Sequence, residues 1–273
     1  MELTVLGCCS GMPAGGEASS GYLVRGGGTS VLLDCGPGIA TALGALGGPA
    51  PLGAVVISHL HLDHCYDLLP LGKTLLTMVL DYPGGPPRAA GAPDPLPLYL
   101  PHGCADLLRR WAALFPVPTL PQLDRAFDLA FDVREYRPGD TARIGALDLE
   151  LHELRHGAPN CGTRITDGAA TLAYTGDTGV TPALEDLARD VDLFVAECSL
   201  DRTDTGPQGH LSGADAGRAA TSADARELLL THWTSDDPAW RAARRDDARA
   251  VYGGPVHAAH AGWTDRVGAL TRL

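Results

Sequence analysis

The chain has 273 residues, ten histidines, seven cysteines and a formal net charge of −12 at pH 7. That length buries a sizeable core without disulfide staples, and the acidic balance runs against a surface built to neutralise nucleic-acid phosphates. No basic stretch followed by an apolar one opens the sequence, no apolar run nears the ~20 residues that cross a bilayer, and the cysteines are odd in number with no C-x-x-C. The expectation is therefore a cytoplasmic protein with reduced thiols and no membrane segment.

Short runs rich in Val, Leu and Ile recur, and many end in a turn bearing Gly, Asp or His, which reads as a series of strands. The first four cover residues 3–7, 21–25, 30–36 and 54–59. Residues 81–97 break the pattern: six prolines in seventeen positions exclude a regular element. They read as a surface excursion or as a pocket wall, with Tyr82 beside Met78 and Leu80. Further strands are expected at 96–101, 147–154, 170–177, 193–199, 227–232 and 255–260. Helical patterns lie between the later ones. Residues 181–190 offer Thr181 as N-cap and Pro182 at the first helical position, and residues 211–223 offer Ser212 with Asp215 three places on, a near capping box. Residues 237–252 alternate Arg and Asp on a solvated face. Nothing resembles a linker or a repeat, so residues 1–273 read as one domain of layered sheets with helices outside.

The chemistry concentrates where a strand ends. In "SHLHLDHCYDL", His59, His61, Asp63 and His64 form H-x-H-x-D-H directly behind the run at 54–57. Three imidazoles and a carboxylate so crowded cost much in desolvation and repulsion unless a cation neutralises them. Imidazole with carboxylate suits Zn²⁺ and also admits Mn²⁺ or Fe²⁺. Further ligands must come from other strand ends, where His156, Asp177 and His232 stand. The remaining histidines, His102, His152, His257 and His260, read as ordinary surface or core residues.

With "TVLGCCSGMP", "VLLDCGPG", "LRHGAPNCGTRIT", "LAYTGDTG", "VAECS", "GHLSGADAGRAA" and "LLLTHW" in that order along the chain, the sequence resembles the metallo-β-lactamase superfamily, in its ribonuclease Z-like branch. The resemblance implies a four-layer αββα sandwich with a dinuclear site at one edge of the sheets. It implies one ion on His59, His61 and His156, a second on Asp63, His64 and His232, and Asp177 bridging. Glu197 and His210 match residues particular to that branch.

Two ions about 3.5–4 Å apart can acidify a bridging water and polarise a phosphoryl or carbonyl oxygen, so that metal-bound hydroxide attacks. Asp63 is expected to orient that water as ligand and proton acceptor. His210 is expected to protonate the leaving group, with Glu197 fixing its tautomer. The flexible arm with which ribonuclease Z grips transfer RNA is implied between the segments bearing His156 and Asp177, and "TRITDGAATLAYTGDTG" leaves no room for it. The chain thus looks most like the small bacterial members that include cyclic-nucleotide phosphodiesterases, with a small-molecule substrate and no transfer RNA processing. A lactone, thioester or other ester hydrolase is the alternative, and a non-catalytic metal-binding relic is disfavoured because all seven ligands are present. Either a monomer or a homodimer is compatible with the sequence.

Overall fold

The computed structural model describes residues 1–49, 52–80 and 94–268. Fifteen strands among these residues form two sheets. The first contains β1 (Glu2–Cys9), β2 (Ala18–Ser19), β3 (Gly21–Gly26), β4 (Thr29–Leu33), β5 (Ala54–Val56), β6 (Leu96–Pro101), β7 (Phe131–Tyr136) and β15 (Thr264–Asp265). Its order is β15-β1-β3-β4-β5-β6-β7, with β2 beside β1. The second holds β8 (Thr141–Ile144), β9 (Leu147–Glu153), β10 (Cys161–Thr166), β11 (Thr171–Tyr174), β12 (Leu193–Glu197), β13 (Glu227–Thr231) and β14 (Val256–Ala258), in the order β14-β13-β12-β11-β10-β9-β8.

Side-chain alternation builds the layers. Val31 and Leu33 of β4 face the core between the sheets, together with Val24, Val56, Leu149, Leu172 and Tyr174. Leu32, Leu23, Val55 and Ile57 point the other way, onto α1 (Ile39–Ala45) and α3 (Leu68–Val79). α4 (Ala105–Ala113) and α5 (Ala126–Leu129) complete that outer layer. Every residue of β12 is buried, as expected of a parallel strand covered on both faces. Its outer cover is α6 (Ala183–Ala188), α7 (Gly213–Ser222) and α8 (Pro238–Arg249), which send Leu184, Leu187, Ala216, Ala220 and Ala248 into the core. The result is the expected αββα sandwich.

All ten expected strands are present. Of the two helix caps expected from the sequence, one is present. Ser212 caps α7 in a complete capping box, its hydroxyl accepting from Asp215 N while the Asp215 carboxylate accepts from Ser212 N. Asp237 caps α8 ahead of Pro238. Thr181 does not cap α6: the helix starts at Ala183 with Pro182 at the cap position and no side-chain hydrogen bond. Residues 81–93, the larger part of the proline-rich stretch, lie outside the described residues, whereas Leu96 and Pro97 already belong to β6. The sequence excluded a regular element there; β6 lies between β5 and β7 and accommodates Pro97 and Pro101 because the short β5 pairs only Leu98 and Tyr99, so neither proline breaks a ladder on that side. No helix among the described residues is long and apolar enough to cross a membrane.

Candidate metal centre

Strands β11 to β14 run parallel, as do β4 to β7. The chemistry-bearing residues all follow carboxyl ends: Asp34 after β4, His59 after β5, His156 after β9, Asp177 after β11, Glu197 closing β12 and His232 after β13. This is where open α/β sheets bind ligands. The H-x-H-x-D-H run is not wholly a loop as its sequence suggests. His61 stands at the N-cap of α2 (Leu62–Cys65), a single turn that carries Asp63 and His64. Gly36 permits this turn, since a Cβ there would overlap the Asp63 carbonyl.

The seven residues expected as ligands meet. His59 Nε2 lies 3.0 Å from His61 Nδ1 and 3.6 Å from Asp177 Oδ2, and His156 Nε2 lies 3.1 Å from His61 Nδ1. In a second group, His232 Nε2 is 3.1 Å from His64 Nε2 and 3.2 Å from both Asp63 Oδ2 and Asp177 Oδ1. Asp177 gives one oxygen to each group. For a tetrahedral ion with bonds of about 2.0–2.1 Å, donor atoms stand about 3.3–3.4 Å apart, close to these separations. Imidazole nitrogens facing one another cannot all be satisfied by protons. Asp177 Oδ1, buried, has no hydrogen-bond donor at all. The donor set therefore fits divalent ions.

In four of the five histidines, all but His61, the opposite ring nitrogen is held by the protein, the usual arrangement for metal-ligating imidazole. His64 Nδ1 donates to Asp34 Oδ2 at 2.6 Å, and His59 Nδ1 contacts Ser58 Oγ at 3.0 Å, which itself donates to Asp34 Oδ2. His156 Nδ1 donates to the Gly209 carbonyl at 3.0 Å, and His232 Nδ1 contacts Ser199 Oγ at 2.8 Å. Burial first, then the neighbouring imidazoles, hold the pKa of His59 and of His61 below the usual histidine value against the pull of Asp177. Neutral imidazole, the ligating form, is thus favoured at these two, whereas at His64 burial is outweighed by the Asp177 and Asp34 carboxylates, which raise its pKa well above the usual value in the absence of a cation.

His210 and Glu197 stand outside the two four-donor groups. His210 Nδ1 donates to Glu197 Oε1 at 2.8 Å. Glu197, fully buried, also accepts from Thr178 N, Ser199 N and Ser199 Oγ. Asp177, Glu197, His210 and His232 are mutually close enough to suggest another ion site, but four donors already occupy the Glu197 oxygens. Burial alone lowers the pKa of His210; the Glu197 hydrogen bond and charge, with Asp177 and Asp63 behind, outweigh it and raise the value to about 9. Cations held by the neighbouring residues would push it back down.

His102 and His152 pair with Glu135 and Glu150, and His257 with Glu227, outside the cluster. Sequence reasoning missed Asp34, Ser58, Ser199 and Tyr174. Asp34 carried a signal: an aspartate at a strand end, inside a motif already noted, in the left-handed conformation (φ 58°) that Asp tolerates.

A convergent cluster of seven His and Asp donors, four of them buried, at the edge of an αββα sandwich is the mark of a metallo-hydrolase of the metallo-β-lactamase fold. The chain belongs to the beta-lactamase superfamily, whose domain model matches residues 29–233. A Mycobacterium leprae protein is 37% identical over 281 residues, covering all of this chain and 91% of that one. YhfI of Bacillus subtilis, named a probable metallo-hydrolase, is 31% identical over 268 residues, covering 96% of this chain and 98% of its own. The YhfI crystal structure superposes with a TM-score of 0.79 at 28% identity, over 97% and 99% of the two chains. Ribonuclease Z of Mycobacterium bovis is 29% identical over 280 residues, covering 94% and 97%. A diphosphatase of the PhnP family, at 19% identity and TM-score 0.67 over 97% and 96%, shares the fold.

Proposed function

We propose that this protein is a dinuclear metal-dependent phosphodiesterase acting on a small diester such as a cyclic nucleotide. His59, His61 and His156 would hold one ion, Asp63, His64 and His232 the other, with Asp177 between them. Zn²⁺ is the expected metal, and Mn²⁺ or Fe²⁺ also suit the donors. When bound, the ions acidify a coordinated water and polarise a phosphoryl oxygen. Asp63 Oδ2, held by Gly11 N at 2.7 Å, orients the attacking water. His210 then protonates the departing ribose oxygen from Nε2, while Glu197 keeps the proton of Nδ1 in place.

The observation that carries this reading is His210, tied to a buried carboxylate and placed just outside two donor groups that share Asp177. A site that only binds metal needs no such acid; cleavage that expels an alkoxide does. Two features support a small substrate. Between His156 and Asp177 the chain is a tight hairpin, β10–β11, pairing Thr166 with Thr171, where an RNA-gripping arm would have to insert. The net charge of −12 also disfavours polyphosphate backbones. One observation favours the ester-hydrolase reading: a cavity of about 470 Å³ lined by Leu60, Leu62, Leu108 and Trp111 adjoins the ligand-bearing run and could take an acyl chain.

The test is an assay of the metal-loaded protein on cyclic nucleotides, a nitrophenyl diester, a transfer RNA precursor, and a panel of lactones and thioesters, with a chelator control. Chelator-sensitive turnover of cyclic nucleotides, with the precursor uncut, is expected. Turnover confined to carbonyl substrates, or efficient salt-sensitive 3′ cleavage of the precursor, would refute the proposal.

A further inference from the structure

The two functional units, the ligand shell and the acid pair, are joined by one side chain that no motif singled out. Ser199 is buried two residues beyond Glu197. Its hydroxyl lies 2.8 Å from His232 Nδ1 and 2.7 Å from Glu197 Oε2. A hydroxyl has one proton. If it is donated to Glu197, only the lone pairs face His232, so Nδ1 must carry the ring proton and donate it. That leaves His232 Nε2 unprotonated, aimed at Asp63 and Asp177 at 3.2 Å. The direction of one hydrogen bond thereby selects the tautomer able to bind a cation.

We infer that Ser199 is a positioning residue that transmits the negative charge of Glu197 to His232, so that one carboxylate sets both the acid His210 and the ligating tautomer of the second metal group. The inference rests on the proposed ligand set. Glu197 can do this because all four of its contacts are donors: Thr178 N and His210 Nδ1 on Oε1, Ser199 N and Ser199 Oγ on Oε2. An amide in its place turns NH₂ toward one of these pairs. Facing Ser199, it reverses the hydroxyl, which then donates to His232 Nδ1 and drives the ring proton onto Nε2, where it blocks coordination. Facing His210, it opposes N–H to both Thr178 N–H and the ring N–H, neither of which can turn away, whereas the serine hydroxyl rotates freely; the Ser199-facing orientation therefore prevails. Glu197→Gln is therefore not a conservative change.

The experiment measures Zn²⁺ affinity by competition with a chromogenic chelator, equivalent by equivalent, in the full-length protein. Ser199→Ala is expected to weaken one equivalent by about 10–100-fold, the usual effect of losing a partner behind a ligand, and to leave the other unchanged. Ser199→Thr, which keeps the hydroxyl, should restore the affinity. Glu197→Gln should weaken the same equivalent, and should add nothing when combined with Ser199→Ala. Should Ser199→Ala lose its fold, Glu197→Gln alone decides, since it leaves the serine in place. Two full-affinity equivalents in Ser199→Ala or in Glu197→Gln, equal losses in Thr and Ala variants, or fully additive losses would overturn the inference. These readouts are independent of turnover: a protein inactive on diesters that still loses one equivalent would refute the phosphodiesterase reading and keep this one.

Discussion

Asp34 and Glu197 are both buried carboxylates at the carboxyl ends of strands, one in each sheet, and both reach a ligand histidine through a serine. Asp34 acts through Ser58 on His59 and directly on His64; Glu197 acts through Ser199 on His232 and directly on His210. The difference lies in the direct partner. His64 is fully buried and belongs to the ligand set, and Tyr174 donates to the same Asp34 oxygen at 2.6 Å, so that corner is closed. The side chain of His210 is 22% exposed, and its Nε2 has no hydrogen-bond partner among the described residues. One carboxylate is closed in behind the donor cluster; the other also holds an imidazole that faces the site. Under the proposed function, near-identical wiring yields a rigid support on one side and an acid on the other.

The largest effect expected from breaking this contrast is on turnover. His210→Ala should lower kcat by about 10²–10⁴-fold, the usual contribution of a positioned acid, while retaining its metal. The loss should shrink for a nitrophenolate leaving group, which departs without a proton. Parallel kinetics on a cyclic nucleotide and a nitrophenyl diester decide it; equal losses would assign His210 to substrate binding.

Asp34→Asn should next weaken metal binding at both groups, by about 10–100-fold each, because the amide opposes donors from Ser58, His64 and Tyr174. Glu197→Gln should affect one group only. Chelator competition separates the two patterns, and a one-group loss in Asp34→Asn would erase the distinction.

A smaller effect concerns pH. The folded-state pKa of His210 is raised, so its protonated form stabilises the metal-free protein fully below its unfolded value, and that contribution is lost as pH rises toward about 9. Urea midpoints of the metal-free protein should therefore fall over that interval, and the fall should be reduced in His210→Gln. An identical pH profile in the variant would contradict the pairing with Glu197. The smallest effect is a control: Asp237→Ala removes the cap of α8 and should cost about 0.5–2 kcal/mol with metal content unchanged.

Much of this contrast was invisible in the sequence. The ligands were legible because imidazoles so densely spaced have few explanations besides a cation, and the strands because apolar runs ended in turns. The family likeness, not spacing, singled out Glu197 and His210. Asp34 was signalled only by its place at a strand end, and Ser58 and Ser199 carry no signal: a serine beside a histidine or a glutamate is common, and only pairing across 24 or 33 residues gives it a role. Helix α3 was not among the expected elements. Its Pro70 sits in the first turn, where a missing N–H costs nothing. Strand β10 lacks a continuous apolar run because it pairs on both sides within the sandwich and draws its stability from β9 and β11.

The proposed two-ion centre depends on Asp177, which offers one oxygen to each donor group. Metal analysis of protein purified without chelator, set against Asp177→Ala, should find close to two equivalents in the wild type and loss from both sites in the variant. A variant that keeps both equivalents, or a wild type that binds one, would contradict the proposal.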